Sequence, residues 1–286
     1  MPQIKNILFP VDFSDRTCKA APFVVAFMKR FDAKATLLHV VEPVPYGAYA
    51  EAAPIGLDLD ALQEEAQAYL ERALVKQFEN LPVKRVVEIG FAADVVTRFA
   101  ESDGADLIMM PTHGYGPFRS FLLGSIVAKV LHDARCPVWT ATHTEDPGPK
   151  EHLACRAVMC AVDGSDHSLG VIHWAAQFAK DAGASLRLVH VIPGPGEWMG
   201  RPDPAFEQEL KKQARVMVEK LLVSAGMDVP ICIAVGDVAP TIRKEASAHS
   251  ADALIIGRGV LHETLGRLRA HSYQIIRTAP CPVISV

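Results

Sequence analysis

Short runs of apolar residues recur along the chain without polar alternation, and longer stretches with helical spacing of apolar residues separate them. Runs of this kind predict strands that are buried on both faces of a sheet. In the first half of the chain the runs are NILFPV, ATLLHVV, RVVEI, DLIMM and PVWTA. Between the second and third runs, helical spacing is clear at Leu62, Ala66, Tyr69, Ala73 and Leu74.

Strands that alternate with helices of this length favour right-handed crossovers, and therefore a parallel sheet with helices on both faces. We expect an α/β fold with five strands and four helices in each half of the chain. In open sheets of this class, ligands bind beyond the carboxyl ends of the strands, where the strand order reverses. Functional residues should therefore follow the first, second and fourth strands.

The second half of the chain repeats the first, with a small drift of offset that indicates insertions and deletions in loops. We expect copy one at residues 1–143, a polar linker containing Pro and Gly at 144–153, and copy two at 154–286. The repeated pairs are VDFSD at 11–15 and VDGSD at 162–166, LHV at 38–40 and VHV at 189–191, ADLI at 105–108 and ADAL at 251–254, and CPV at 136–138 and 281–283.

The composition of the chain argues against nucleic-acid binding, membrane insertion and a dedicated metal site. The chain is 50% hydrophobic and 22% charged with a formal net charge of −4, which provides no basic field for a nucleic-acid partner. The apolar runs are too short to span a bilayer and the N-terminus shows no export signal, so we expect a cytoplasmic protein with no membrane partner. The six cysteines form no CxxC pair and the histidines no HxxxH pair, and no dedicated metal site is expected.

A candidate anion-binding loop follows the fourth strand of copy one. It begins with Pro-Thr-His-Gly at 111–114 and, after nine intervening residues, reaches Gly124 and Ser125 at the start of a helix. Gly124 has no Cβ to keep a phosphate away from the backbone, Ser125 offers a hydroxyl, and the free amides of a helix start carry partial positive charge. The alternative is an ordinary glycine turn followed by a Ser helix cap.

Two further features recur near the expected ligand edge. Asp12 ends the first strand, where folds of this class present an acidic group to ribose hydroxyls. The alternative is a local role, because Asp12, Ser14 or Asp15 could cap the next helix. His39 and His190 stand at equivalent points of the second strand in the two copies, and we expect them to share a structural role.

Together, FPVDFSD at the first strand, LLHVVEP at the second, and THG-x9-GS before CPV make the sequence similar to the universal stress proteins, in the tandem form with two domains in one chain. The resemblance covers nearly the whole chain and implies Rossmann-like domains of the adenine nucleotide alpha hydrolase type. It also implies that ATP, or AMP or ADP, binds in copy one, with Mg²⁺ accompanying a triphosphate. Asp12 would hold the ribose, Val40 would lie against adenine, and the glycine loop would wrap the phosphates. The implied nucleotide site comprises Pro10, Val11, Asp12, Val40, Pro111, Thr112, His113, Gly114, Gly124, Ser125 and Ile126.

Pro111 departs from the family pattern, because it stands where the loop has its first glycine. Proline restricts φ and has no backbone N–H, so a contact that needs this amide or a positive φ is lost. Gly124 and Ser125 form the phosphate-facing part of the loop, and binding can survive through them.

Copy two keeps only part of the pattern. Counting forward from Asp252 places Gly257 against Pro111, whereas counting back from Cys281 places Ile256 there, so one residue is missing in between. Gly124 and Ser125 therefore correspond either to Arg269 and Ala270 or to Ala270 and His271. Neither count restores the Gly-Ser pair, and we expect copy two to bind triphosphate weakly or not at all. The degenerate second site consists of Asp163, Val191, Gly257 and Gly259.

The leading expectation is a stress-response protein that binds ATP or a related adenine nucleotide in copy one as a regulatory module. A slow ATP hydrolase is the first alternative, although Asp12, His113 and Ser125 are the only groups that could orient water, and no nucleophile and base pair is evident. A nucleotide-independent scaffold or a binder of an apolar ligand is the second. We expect the two copies to pair through their final strands, and association into a homodimer is left open.

Overall fold

The computed structural model describes residues 3–43, 58–112, 123–141, 153–194, 203–258 and 267–286. The chain forms two compact units, one made of Gln3–Arg119 and Gly124–Val138 and the other containing Trp139–Val286. The linker expected at 144–153 lies almost wholly outside the described residues, so the domain boundaries stay a prediction.

Strands and helices alternate throughout both copies. Copy one consists of β1 (Asn6–Pro10), α1 (Asp15–Phe31), β2 (Lys34–Val41), α2 (Leu59–Arg72), β3 (Val83–Ile89), α3 (Ala92–Ser102), β4 (Leu107–Met110), α4 (Ser125–Asp133) and β5 (Val138–Thr140). Copy two consists of β6 (Ala157–Ala161), α5 (Ser168–Ala182), β7 (Ser185–Pro193), α6 (Pro204–Ala225), β8 (Ile231–Gly236), α7 (Val238–Ala248), β9 (Ala253–Ile256), α8 (Arg267–Thr278) and β10 (Val283–Ser285). The described residues thus contain the expected five strands and four helices per copy, and the α/β prediction is confirmed.

The strand order places a reversal beside the first strand of each copy. The order is β3-β2-β1-β4-β5 in copy one and β8-β7-β6-β9-β10 in copy two. In copy one, β1 runs parallel to both of its neighbours, with Ile7 opposite Ala35 of β2 and Leu107 of β4. The chain leaves β1 toward one side of the sheet and returns on the other, which opens a cleft at the carboxyl ends of these strands.

Burial follows the position of each strand in this order. The central strands are almost inaccessible to solvent, with Ile7, Leu107 and Leu254 at 0% exposure. In β3, by contrast, Lys84 is exposed and Val87 is the one buried residue, and every residue of β8 is half-buried. The expectation of burial on both faces is therefore wrong for β3, because a strand at the end of the order has a neighbour on one side only.

Helix α2 forms where the spacing of apolar residues predicts a helix, but two of the residues expected in it, Ala73 and Leu74, lie beyond its end. Arg72 ends the helix, so Ala73 is its C-cap residue and Leu74 follows with a φ of 55°. Leu70 is the buried residue of this helix, whereas Tyr69 is 55% exposed. Across the described residues, we find no helix with the length and apolarity to cross a membrane.

A carboxylate anchors the start of the central strand in both copies. Asp106 Oδ2 accepts hydrogen bonds from the backbone amides of Lys5 (2.8 Å) and Asn6 (2.9 Å). Asp252 Oδ2 does the same for two consecutive amides of copy two, at 2.6 and 3.0 Å. Each carboxylate precedes the fourth strand of its copy, so it ties the start of that strand to the start of the first.

We expect Asp106→Ala to lower the free energy of unfolding by about 1–3 kcal/mol, because it leaves two strand-start amides without their charged acceptor. Denaturant unfolding followed by circular dichroism measures this change. Asp32→Asn is the control, since the Lys5–Asp32 pair (3.5 Å) is solvent-exposed and its loss should change stability by less than about 0.5 kcal/mol. Equal effects of the two substitutions would contradict an anchoring role for Asp106.

Candidate functional site

A cleft of about 400 Å³ opens in copy one where β1, β2 and β4 end. Its walls are the turn after β1, the end of β2, the start of α3 and the start of α4. This place beside the reversal of strand order is the one that the sequence predicts.

Asp12 lines this cleft with one of its oxygens fully engaged. Asp12 Oδ1 accepts hydrogen bonds from the Ser14 amide (3.0 Å), the Ser14 hydroxyl (2.6 Å) and the Thr17 hydroxyl (2.5 Å). The described residues supply no donor to Oδ2. The cap of α1 is Ser14, whose Oγ accepts from the Thr17 amide at 3.3 Å, so Ser14 fills the expected capping role, while Asp12 has a local role in the turn before the helix through Oδ1.

A histidine ties the second strand to this turn in both copies. His39 Nδ1 lies 2.7 Å from Val11 O, and His190 Nδ1 lies 2.9 Å from Val162 O. A carbonyl oxygen can only accept a hydrogen bond, so Nδ1 of each histidine must carry a proton. In the neutral imidazole, Nε2 is then unprotonated and can accept a hydrogen bond. The shared structural role expected for the two histidines is confirmed.

Phe13 gives the turn after β1 an unusual backbone. Its φ of 61° is in the left-handed region, which is costly for a bulky residue. The centre of its ring lies 4.4 Å from that of His39 and 4.5 Å from that of Tyr69, and these ring contacts offset part of the cost. Copy two has Gly164 at this place with a φ of 86°, and a Cβ there would collide with Met217. Met217 thus occupies the room in which a side chain at position 164 would have to lie.

The start of α4 forms another wall of the cleft. Gly124 is the N-cap residue with a φ of −59°, which any residue can adopt, and its amide donates to Thr112 O at 3.0 Å. The missing Cβ, rather than a special φ, therefore distinguishes Gly124. The amides of Ser125, Ile126 and Val127 have no acceptor within the helix, so the cleft faces the positive end of α4.

A second cleft, of about 280 Å³, lies at the equivalent place in copy two. Asp163 Oδ1 accepts from the Ser165 amide (3.0 Å), the Ser165 hydroxyl (2.7 Å) and the Ser168 hydroxyl (2.8 Å). Partial burial acts to raise the pKa of the Asp163 carboxyl, but these hydrogen bonds outweigh it and hold the pKa below its ordinary value. The aspartate turn is thus the same in both copies, with Ser168 in place of Thr17.

The family follows from comparison of the whole chain with known proteins. The sequence profile of the universal stress protein family matches residues 3–141 and 155–286, one segment in each copy. The chain belongs to the universal stress protein family.

Individual relatives cover either the whole chain or one half of it. A universal stress protein of Archaeoglobus fulgidus has the same fold throughout, with 21% identity and a TM-score of 0.71 over 99% of this chain and 98% of that chain. A universal stress protein of Methanocaldococcus jannaschii is 35% identical over 136 residues, which are 47% of this chain and 79% of the relative. A further Archaeoglobus fulgidus universal stress protein, solved in complex with dAMP, is 23% identical over 46% of this chain and 96% of that chain, with a TM-score of 0.34.

The universal stress protein fold brings most of the predicted site residues together. Thr112 is buried and does not line the cleft, while His113, Gly114 and, in copy two, Gly259 lie outside the described residues. In copy two, Asp163, Val191 and Gly257 line the second cleft. The predicted residues that line the first cleft are Pro10, Val11, Asp12, Val40, Pro111, Gly124, Ser125 and Ile126.

Pro111 fits the backbone at the first-glycine position. Because Asp106 and Asp252 make the same anchoring bonds, counting forward from them places Pro111 against Gly257 of copy two. Gly257 is not among the residues with positive φ, so this position does not require a glycine conformation. The consequence of Pro111 is therefore the loss of one backbone N–H from the cleft wall.

The burial pattern of helix α8 shows which residue of copy two corresponds to Gly124, on the C-terminal side of the one-residue deletion. The buried pair Val130 and Leu131 of α4 corresponds to the buried pair Ile275 and Ile276 of α8, which places Arg269 at the position of Gly124. For Gly124 and Ser125 the count back from Cys281 therefore holds, whereas for Pro111 the count forward from Asp252 holds. The chain is already helical at Arg267, before the position at which α4 begins.

Sequence reasoning missed the polar residues Thr17 and Glu42 of the first cleft, as well as apolar lining residues such as Val96 and Met110. Thr17 holds Asp12, and the signal for it was available, because Ser168 repeats a hydroxyl five residues after the aspartate of copy two. Glu42 Oε1 accepts the Ala92 amide at 2.9 Å and so caps α3 beside the cleft. Copy two has Pro193 at that place, so the repeat offered no signal for Glu42.

We expect Ser165→Ala to raise the pKa of Asp163, because one of the hydrogen bonds that favour the carboxylate is lost. A depressed folded-state pKa stabilises the fold above the unfolded value of about 3.9, and this contribution disappears as pH falls through the lower folded value. The variant should therefore lose stability at neutral pH and approach the wild type near pH 2.

Carboxyl-carbon NMR titration of Asp163, together with denaturant unfolding at several pH values, measures both effects. Ser224→Ala, at an exposed position of α6, is the matched control and should leave the titration unchanged. An unaltered Asp163 pKa in Ser165→Ala would refute the role given to these hydrogen bonds.

Proposed function

We propose that copy one binds an adenine nucleotide in the cleft beside Asp12 and acts as a regulatory nucleotide-binding module in the cytoplasm. The observation that carries this proposal is that one cleft contains both the Asp12 carboxylate, engaged through Oδ1 only, and the open start of α4. Its volume of about 400 Å³ is within the range of roughly 300–1,000 Å³ typical of small-molecule sites.

Asp12 is suited to bind the ribose. The donors from Ser14 and Thr17 hold Oδ1 and so orient the carboxylate, while Oδ2 is available to accept from two sugar hydroxyls. The His39 bond to Val11 O holds the preceding residue in place from the second strand. Because four groups converge on this turn, the oxygen that faces the ligand needs little ordering when the ligand binds.

The start of α4 is suited to bind the phosphates. The amides of Ser125 and Ile126 and the exposed Ser125 hydroxyl offer donors where the helix dipole favours an anion. A bound triphosphate would bring Mg²⁺ with it, coordinated through phosphate oxygens. Val40, Val96 and Met110 line the same cleft and offer an apolar surface for adenine.

Copy two lacks the phosphate-binding half of this arrangement. Arg269 replaces Gly124, and the chain is already helical at Arg267, so the amides that face the cleft in copy one correspond to amides engaged within helix α8. The aspartate turn at Asp163 is retained. We therefore expect copy two to bind phosphate groups weakly or not at all.

Gly124→Asp places a side chain and a negative charge at the phosphate-facing start of α4. We expect nucleotide affinity to fall by more than tenfold, measured by calorimetric titration of ATP with Mg²⁺ into the full chain. The matched control is Arg269→Asp in copy two, at the position of Gly124, which should leave affinity and a stoichiometry of one nucleotide per chain unchanged. Equal affinity in Gly124→Asp and the wild type would show that the site assignment is wrong.

Turnover separates the regulatory module from the alternatives. Nucleotide bound without sustained ADP formation supports a binding module, whereas ADP formation over many turnovers supports a slow hydrolase. Absence of binding, even with added ATP and Mg²⁺, supports a nucleotide-independent scaffold and contradicts both nucleotide functions. Pairing of the two copies through their final strands stays a prediction.

A further inference from the structure

Three side chains with different donor atoms converge on the edge of copy two, away from its cleft. Cys232 lies on β8, while Glu245 and His249 lie one turn apart at the end of α7. Cys232 Sγ is 3.2 Å from Glu245 Oε2, and His249 Nε2 is 3.8 Å from the same oxygen. One ligand atom from each residue lies within 4.8 Å of the other two. We propose that Cys232, Glu245 and His249 form a binding site for one divalent transition-metal ion such as Zn²⁺.

The fold itself creates this arrangement. Cys232 pairs with Val189 of β7, so its position on the edge strand is set by the sheet register. α7 begins two residues after β8 and packs against it, which carries Glu245 back over Cys232. The His249 amide donates to Glu245 O at 3.0 Å, so the last helical turn aligns the two α7 side chains.

The donor set matches this class of ion. Thiolate sulfur, imidazole nitrogen and carboxylate oxygen bind Zn²⁺ at about 2.3, 2.0–2.1 and 2.0–2.2 Å, which puts tetrahedral ligand atoms about 3.3–3.7 Å apart. The separations of Glu245 Oε2 from Cys232 Sγ (3.2 Å) and from His249 Nε2 (3.8 Å) are close to those values, and the sulfur and the imidazole ligand atom lie within 4.8 Å of each other. Hard ions such as Mg²⁺ prefer oxygen ligands alone, so the sulfur and nitrogen select against them.

The charges also fit a dication. The thiolate and the carboxylate together carry two negative charges, which balance the ion when the imidazole binds in its neutral form. Burial, together with the Glu245 carboxylate, raises the pKa of the Cys232 thiol to about 11, so a metal ion must displace its proton to solvent. Arg187 on β7 and Arg215 on α6 favour the thiolate through their positive charge, although they also repel the ion.

Three protein ligands leave the fourth tetrahedral position open. His249 is at the exposed end of α7, so water or another donor can reach this position from solvent. An ion held by three residues at a surface exchanges more readily than one in a closed four-ligand site. The arrangement therefore favours a responsive site over a permanent structural one.

Copy one serves as an internal comparison. The register that pairs Cys232 with Val189 pairs Val86 with Leu38 in copy one, and the positions of Glu245 and His249 are occupied there by Phe99 and Asp103. The equivalent strand and helix thus form without any of the three donors. The cluster is a property of copy two and is not needed to build the fold.

Titration of Co²⁺ into the reduced full-length chain tests the proposal, because thiolate-bound Co²⁺ gives a sulfur-to-metal charge-transfer absorption. We expect saturation at one Co²⁺ per chain, release of the thiol proton, and displacement of Co²⁺ by Zn²⁺. Cys232→Ser should abolish the thiolate absorption, and His249→Ala should weaken Co²⁺ binding at least tenfold. Cys18→Ser, at an exposed cysteine of α1, should leave the titration unchanged.

If Cys232→Ser destabilises the sheet edge, His249→Ala still tests the site, because it changes an exposed side chain. Circular dichroism verifies that both variants are folded. Absence of a thiolate band with millimolar Co²⁺, or its persistence in Cys232→Ser, would overturn the proposal. An unchanged Co²⁺ affinity in His249→Ala would show that His249 is not a ligand and would overturn the three-residue site. None of these outcomes bears on nucleotide binding in copy one.

Discussion

Three hydrogen bonds to one aspartate oxygen organise the turn that borders the cleft of each copy. In copy one they come from Ser14 and Thr17 to Asp12, and in copy two from Ser165 and Ser168 to Asp163. Together with the histidine bond to the preceding carbonyl, they set the path of the chain from the first strand into the first helix. Because one oxygen holds the turn, the second can face a ligand.

The two copies share this constraint and one architecture, but differ at the edge of the cleft. The aspartate turn is retained in both. The helix after the fourth strand begins at Ser125 in copy one, whereas in copy two the equivalent position lies inside α8, which is already helical at Arg267. Copy two carries Cys232, Glu245 and His249 at its sheet edge. The equivalent positions of copy one are Val86, Phe99 and Asp103. The repeat thus carries two different candidate sites at separate places on the same fold.

Much of this could be predicted from the sequence, because the relevant signals are local. Apolar runs located the strands, the repeat located the two copies, and the motif at Asp12 located the cleft. Edge burial at β3 could not be predicted, since it depends on which strand ends the sheet. The left-handed backbone of Phe13 was equally hidden, because residue identity favours glycine there and the stacking against His39 and Tyr69 is tertiary. The Cys232 cluster escaped motif reasoning because strand-to-helix packing, rather than sequence spacing, brings its donors together.

The most direct test of the central claim is a crystal structure of the full chain grown with ATP and Mg²⁺. We expect nucleotide in the copy one cleft, with ribose hydroxyls within hydrogen-bond distance of Asp12 Oδ2 and phosphate at the amides of Ser125 and Ile126. We also expect no phosphate beside Asp163. Nucleotide bound only in copy two, or bound in copy one without contact to Asp12, would contradict the claim.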